Sequence, residues 1–185
     1  MELDRVIKER HSTRIFSGKS ADWRSIILAI DAANSIPLAG NIPTLKFILI
    51  SDREKIMKIA QSCQQEFFQN VKHAVVVCSD EKLIKKAQPN FYEKFTRQQA
   101  GAAIQNFLLK ISDLELAACW VGAFSEELVK ETLKIPQEVT VEAILPVGHE
   151  RSPGKPRRKS HLDNVLFFDS FNQRSMKPMR ASLDT

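Results

Sequence analysis

The 185-residue sequence predicts one α+β or α/β sandwich domain, on three observations. Short β-branched runs alternate with stretches of helical periodicity, the pattern of helices packed on a sheet. The composition is globular, 43% hydrophobic and 26% charged, which argues against disorder, collagen-like repeats and coiled coil. No internal repeat and no linker flanked by two domains interrupts the chain, so a single domain is assigned to residues 1–171 and an arm to 172–185, exposed or packed on a partner subunit.

Each element follows from a local pattern. Leu3, Val6 and Ile7 are spaced as on a short helix that ends at the polar RHST stretch. Trp23, Ile26, Ile27, Ile30 and Ala33 recur at helical spacing behind Ser20 and Asp22, which can cap, and Pro37 stops the run. Trp23 falls on that stripe and is assigned to the core. LKFILI (45–50) is a buried strand, followed by a helix from about Asp52 to Cys63. AVVVCS (74–79) is a second, β-branched strand. A long helix runs from about Asn90 to Leu114 with Ala100, Ala103, Ile104, Phe107, Leu108 and Ile111 as its apolar stripe. Ser125 and Glu126 open another helix through Leu133, ended by Pro136. TVEAILPVG (140–148) is a third strand and NVLFFDSF (164–171) a fourth.

Bulk properties narrow the function classes. No apolar run reaches the ~18 residues of a membrane span, and the start MELDRVIKER is charged where a signal peptide is apolar, so the expectation is a soluble, cytoplasmic protein. Cys63, Cys78 and Cys119 form no C-x-x-C pair and read as reduced, packed thiols; Cys119 in particular reads as core. Four scattered histidines with no ligand spacing give no metal site. Residues 151–159, RSPGKPRRK, hold five Lys/Arg and no acid; without them the other 22 basic residues match the 22 acidic ones. The net charge of +5 is therefore one local patch, in a 150–163 stretch whose prolines and glycine mark a loop.

A second basic concentration sits in RHSTRIF (10–16). If that stretch is extended, Arg10, Ser12 and Arg14 project to one side and His11, Thr13 and Ile15 to the other. Two guanidiniums and a hydroxyl on one side form a cradle for a phosphate. The alternative is that Arg10 and Arg14 cap the first helix and pair with Glu2, Asp4 or Glu9. Lys155 and Arg157 flank Pro156 and can close over the same phosphate, or form a solvated loop or a nucleic-acid patch. No nucleic-acid-binding motif or interleaved aromatic accompanies the patch, so no nucleic-acid partner is assigned, although a basic-patch module stays as an alternative.

These segments carry a resemblance to a known family. RHSTRIF resembles the N-terminal R-x-S-x-[RK]-x-F signature of the FMN-dependent nitroreductase family. IPLAGNIPTLKFILI (36–50) is similar to its A-P-S-x-x-N-x-Q-P-W-x-F segment at Pro37, Asn41 and Phe47, and AGAAIQNFLLK (100–110) to its central helix with the pair Gln105 and Asn106. ACWVGAF (118–124) resembles the s-x-W-x-G-x-F turn, LKIP (133–136) the L-x-x-P after it, and ILPVGH (144–149) with KPR (155–157) the closing strand and phosphate loop. Six collinear motifs cover most of the chain.

The resemblance implies an α+β, nitroreductase-like three-layer sandwich, with a central mixed or antiparallel sheet flanked by helices and a C-terminal arm. It implies a homodimer with FMN at the subunit interface, using NADH or NADPH to reduce nitroaromatic or quinone-type acceptors by ping-pong hydride transfer. By the same resemblance Arg10, Ser12, Lys155 and Arg157 hold the FMN phosphate, and His11 contacts phosphate or backbone, with proton donation as its alternative role. Arg14 lies towards the pyrimidine end of the flavin as electrostatic stabiliser. Leu38 and Asn41 contact the ring from the partner, and the Trp120-Val121-Gly122 turn offers a backbone N–H. Pro43-Thr44-Leu45 stands where the family has Gln-Pro-Trp, and Leu38-Ala39 where it has two serines, so the aromatic lid is missing. A flavin-binding store or sensor without turnover is the nearest alternative. His149 reads as loop packing, and Phe67 and Phe68 as pocket or dimer contact.

Overall fold

Three β-branched or aliphatic runs in the sequence become the three long strands of one sheet: β1 (Leu45–Ile50), β2 (His73–Asp80) and β4 (Val139–Gly148). The structure, a computed structural model, describes residues 2–152, 154 and 160–176. A fourth strand, β3 (Ala117–Ala118), completes the order β1-β2-β4-β3, and every pairing is antiparallel. The register runs Leu45↔Ser79 to Ile50↔Ala74 between β1 and β2, and His73↔Val147 to Asp80↔Val139 between β2 and β4, with an irregularity at Val77/Cys78.

Alternation along these strands divides the core in two. Val75, Val77, Ala143, Leu145 and Val147 face α2 (Trp23–Asn34) and α5 (Tyr92–Asp113). Ala74, Val76, Cys78, Val141 and Ile144 face the other way, against α3 (Arg53–Cys63) and α6 (Glu126–Leu133). The result is the three-layer α+β sandwich the resemblance implies. Small residues let the α2 and α5 backbones approach: Ala29 and Ala33 on α2 and Ala103 on α5 are fully buried, and Asn106 bridges the two helices by donating to the Ala32 carbonyl at 3.3 Å. Asp22, Asp52 and Ser125 cap α2, α3 and α6 through backbone N–H groups of the first turn.

Three sequence expectations are corrected. Residues 164–171 are not a strand: a short 3-10 turn spans Leu162–Asn164 and irregular turns follow, with Val165 62% and Phe171 82% exposed. The run satisfies itself locally, Phe167 against Phe171 at 4.7 Å and the Arg174 guanidinium over the Phe167 ring. Trp23 is not core but 48% exposed, with Arg24 stacked on its ring, because Ile26, Ala29 and Ala33 form the inward face of α2 while Trp23, Ile27 and Leu28 point outward. A helix the sequence reading left out, α4 (Lys82–Ala87), precedes α5. Phe68 is fully buried core next to α3, and Phe67, stacked on it, is half-buried against the same cluster. All three cysteines are buried, and burial pushes the Cys78 thiol up to about 12. Among the described residues no helix is long and apolar enough to cross a membrane.

Candidate functional site

The first helix, α1 (Leu3–Glu9), ends where Arg10 turns extended at ψ 127° while its backbone N–H still reaches the Val6 carbonyl. From there the chain crosses the end of the sheet. The Thr13 N–H donates to the Ala118 carbonyl at 3.0 Å, Phe16 bridges Glu150, the Ser17 N–H donates to the His149 carbonyl at 2.9 Å, and the Arg151 N–H donates to the Ile15 carbonyl at 2.9 Å. Residues 13–17 are therefore pinned between the β3 edge and the continuation of β4. The pin is packed as well as hydrogen-bonded. Phe16 is 2% exposed and lies so close over Gly148 that a Cβ there would meet its Cδ1 at 3.1 Å. Glycine at 148 makes room for that ring.

This pinning sorts the seven residues by side. Thr13 and Phe16 are buried; Ser12, Arg14 and Ile15 are exposed. Alternation thus holds only from Ser12 to Arg14: Arg10 shares a pocket wall with His11, which the sequence sets on the opposite side, and Ile15 is exposed because Phe16 takes the buried place under the sheet end. The helix-capping alternative is not what forms: Glu9 pairs with Arg5 at 2.9 Å, and among the described residues neither the Arg10 nor the Arg14 guanidinium makes an ion pair. Arg10 is half-buried on the rim of a pocket of about 320 Å³, whose walls include Arg5, His11, Ile111, Glu115 and Glu150.

His11 faces that pocket rather than the Ser12–Arg14 side. Its Nδ1 lies 3.0 Å from the Glu9 carbonyl oxygen and its Nε2 2.8 Å from Glu150 Oε1. The hydrogen bond to Glu150, helped by the Glu9 carbonyl, raises its pKa above the ordinary 6.5 against burial and the Arg10 charge. Glu150 and its two partners, His11 and Thr13, are functional candidates that the sequence reading passed over as a set. One signal was available: Glu150 is the lone acid between Glu142 and Asp163, placed directly before the basic run.

The Trp120–Gly122 turn reaches the same corner through β3. The Cys119 N–H bonds Pro146 and Val121 exchanges two 3.0 Å bonds with Ile144, so Cys119 and Val121 are buried against β4 while the alternate residues face away. Trp120 is 42% exposed, Gly122 is exposed, and no atom lies within 4 Å of where a Cβ on Gly122 would stand. The backbone at Gly122 is therefore open to a flat group, beside the exposed Trp120 side chain.

Leu38 and Asn41 are not brought to that corner within one chain. They belong to a 3-10 turn leading into β1, where Gly40 at φ 61° and Asn41 at φ 57° take consecutive left-handed conformations that suit these two residue types. Leu38 packs against the α2–α5 core and Asn41 is exposed. Strands β1 and β3 occupy opposite sheet edges, three strand spacings or roughly 14 Å apart. Lys155 and Arg157 lie outside the described residues; Gly154, just before them in sequence, rests against the His11 ring.

The donor set has the chemistry to hold the phosphorylated tail of a mononucleotide: exposed Ser12, the Arg10 and Arg14 guanidiniums, which make no ion pair among the described residues, and an open backbone ledge two residues beyond Ala118. Comparisons with known proteins agree on the scaffold. The family model described as the nitroreductase family matches residues 7–95 and 85–149. A protein of Archaeoglobus fulgidus, named provisionally for NADH dehydrogenase/NAD(P)H nitroreductase activity, is 29% identical over 155 residues, 81% of this chain and 86% of that one. A similarly named protein of Parabacteroides distasonis has a crystal structure that superposes with a TM-score of 0.80 at 21% identity, covering 91% of this chain and 98% of that one. The NADPH:FMN oxidoreductase of Vibrio harveyi, solved with NAD+, superposes at 0.82 with 18% identity over 92% and 78% of the two chains, a likeness of fold.

Proposed function

The chain belongs to the nitroreductase family, and on that premise we propose that it is an FMN-dependent NAD(P)H oxidoreductase passing electrons to nitroaromatic or quinone-type acceptors. The observation that carries this reading is the pinned 10–14 segment, whose Arg10 and Arg14 lack acidic partners among the described residues and whose base is stitched to residues 149–151. When bound, FMN supplies the hydride and electron transfer that no side chain here can perform.

In this reading the protein's own residues bind, orient and stabilise charge. Arg10 and Ser12 donate to the phosphate, joined by Lys155 and Arg157 from the basic run. Each charge-assisted hydrogen bond of this kind is worth about 1.5–3 kcal/mol. Arg14, exposed two residues beyond Ser12, keeps a fixed positive charge where reduction leaves negative charge on the pyrimidine end of the ring. The Trp120–Gly122 ledge supports the ring and offers a backbone N–H to it. His11, engaged by Glu9 and Glu150, holds the segment rather than the phosphate.

Leu38 and Asn41 reach the ring only from a second copy, which the opposite-edge placement of β1 and β3 supports. The outward residues Trp23, Ile27 and Leu28 of α2, and Leu3 and Ile7 of α1, offer apolar surface for such a homodimer. The test is the visible spectrum of the purified protein. Bands near about 370 and 450 nm, with NAD(P)H oxidation in the presence of menadione, are expected, and Arg10→Ala loses the bands. A colourless protein that takes up no added FMN, or an Arg10→Ala protein with full flavin content, contradicts the reading.

A further inference from the structure

The His11 ring is held between two acceptors and a stretch of backbone. Besides the contacts of Nδ1 with the Glu9 carbonyl and Nε2 with Glu150, the Thr13 hydroxyl donates to the same Glu150 oxygen at 3.1 Å, and Thr13 is 2% exposed. Gly154 lies against the ring. A Cβ on it would stand 2.6 Å from His11 Cδ2 and Nε2 and 3.2 Å from Glu150 Oε1, so a larger residue displaces the ring from both hydrogen bonds. Lys155, the first cation of the 155–159 run, is the next residue in sequence.

We propose that Glu150 and Gly154 are positioning residues which, through the His11 ring, clasp the Arg10–Arg14 segment onto the chain that follows β4 and so set the affinity of that segment for a phosphate-bearing ligand. The identity of that ligand rests on the FMN reading; the clasp does not.

The chemistry of the ring makes the clasp sensitive to protonation. Both of its neighbours, a carbonyl and a carboxylate, accept hydrogen bonds. A neutral imidazole has one N–H and leaves one contact facing a lone pair, whereas the imidazolium satisfies both. Charged groups from each element around it line the pocket the ring faces: Arg5 and Glu9 from α1, Arg10 just after it, Glu115 from the turn after α5, and Glu150 after β4. Glu150 favours the proton and Arg10 opposes it, and the balance lies above the ordinary 6.5. The clasp is therefore closed below pH 6.5 and loosens as pH rises through the raised value.

The experiment titrates FMN into ligand-free wild type and Glu150→Gln by quenching of flavin fluorescence, from about pH 5.5 to 8.5. FMN's own phosphate titrates identically in both, so the ratio of the two dissociation constants isolates the clasp. The ratio is expected to be about tenfold at the acid end, the scale of one charge-assisted hydrogen bond, and to fall towards one at the alkaline end. Gly154→Ala keeps every charge and weakens FMN binding at the acid end, which serves if Glu150→Gln fails to fold. A ratio near one at every pH, or Gly154→Ala binding as wild type does, overturns the proposal. Wild type that binds no FMN at any pH sinks the cofactor reading instead, and the clasp is then decided in ligand-free protein by NMR. The His11 Cε1 proton titrates above 6.5 in wild type and falls back in Glu150→Gln; a midpoint at or below 6.5 that Glu150→Gln does not move overturns the clasp.

Discussion

The backbone N–H of Arg151 donates to the carbonyl oxygen of Ile15 at 2.9 Å, joining the residue after Arg14 to the residue that opens the basic run near the other end of the chain. The flanking contacts, Phe16 with Glu150 and Ser17 with His149, make this a short antiparallel seam rather than a single touch. Two cationic segments far apart in sequence thus share one seam.

Arg14 is exposed and makes no ion pair among the described residues, so its removal costs the fold little. Arg14→Ala is expected to leave the urea midpoint unchanged while slowing flavin reduction by about tenfold or more, the scale of one lost electrostatic contact. Stopped-flow reduction by NADH or NADPH measures it. An unchanged reduction rate removes Arg14 from the ring.

Phe16 anchors the seam in the core, between Gly148 and Phe67 at 6.1 Å. Phe16→Ala deletes a ring that is 2% exposed, and the expected loss is about 3–5 kcal/mol of unfolding free energy. Urea denaturation reads the loss directly, and FMN affinity should fall with it because the 10–14 segment is no longer held to residues 149–151.

Stability should depend on pH through His11. Its folded-state pKa is raised above 6.5, first by the hydrogen bond to Glu150 and then by the Glu9 carbonyl. The stabilisation is therefore full below pH 6.5 and disappears as pH climbs through the raised value. Wild type minus Glu150→Gln unfolding free energy, compared at about pH 5.5 and 8.5, is expected to be larger at the acid end. A difference that grows with pH reverses the sign of the argument.

Because β1 and β3 bound opposite edges of the sheet, Asn41 and Arg10 of one chain serve different sites in the proposed homodimer. Arg10→Ala and Asn41→Ala homodimers are each expected to bind FMN weakly. Co-expressed, they form mixed dimers with one site carrying both lesions and one carrying neither. Recovery of about half the wild-type flavin content in isolated mixed dimers is the expected result. No recovery places both residues in one site of one chain.

Much of this was legible because periodicity reports burial wherever one face of an element is covered. The runs at 45–50, 74–79 and 140–148 agree with β1, β2 and β4 to within a residue at each end: β2 and β4 are central strands covered on both faces and read as continuous apolar stretches, and the edge strand β1 carries an aliphatic run of its own. Ala117–Ala118 was not legible: two alanines carry little strand preference, and they pair with Gly148 and Val147 on the edge of β4 away from β2. Residues 164–171 erred the other way, strand-like in composition but, among the described residues, without a strand beside them to pair with. On α2 both faces are apolar, and only the close approach of α5 to Ala29 and Ala33 decides that Trp23 stays outside.

For the site, the exposure of Ser12 and Arg14 on either side of buried Thr13 was legible because a short extended segment alternates, whereas the place of Arg10, on the wall of the His11 pocket, was not. The role of Glu150 was not. Its contacts to His11 and Thr13 span 139 and 137 positions, and nothing local in the sequence encodes a pairing that exists only once β4 lies beside the 13–17 segment. Gly154 is hidden for the same reason: its value lies in a ring from the other end of the chain.

Whether these cations meet around a phosphate is read most directly by comparing FMN with riboflavin, which has the same ring and no phosphate, in calorimetric titrations of ligand-free protein. Two or more charge-assisted hydrogen bonds to the phosphate predict that FMN binds at least about 100-fold more tightly. Equal affinities for the two, or tight riboflavin binding that Arg10→Ala leaves untouched, would contradict the cradle.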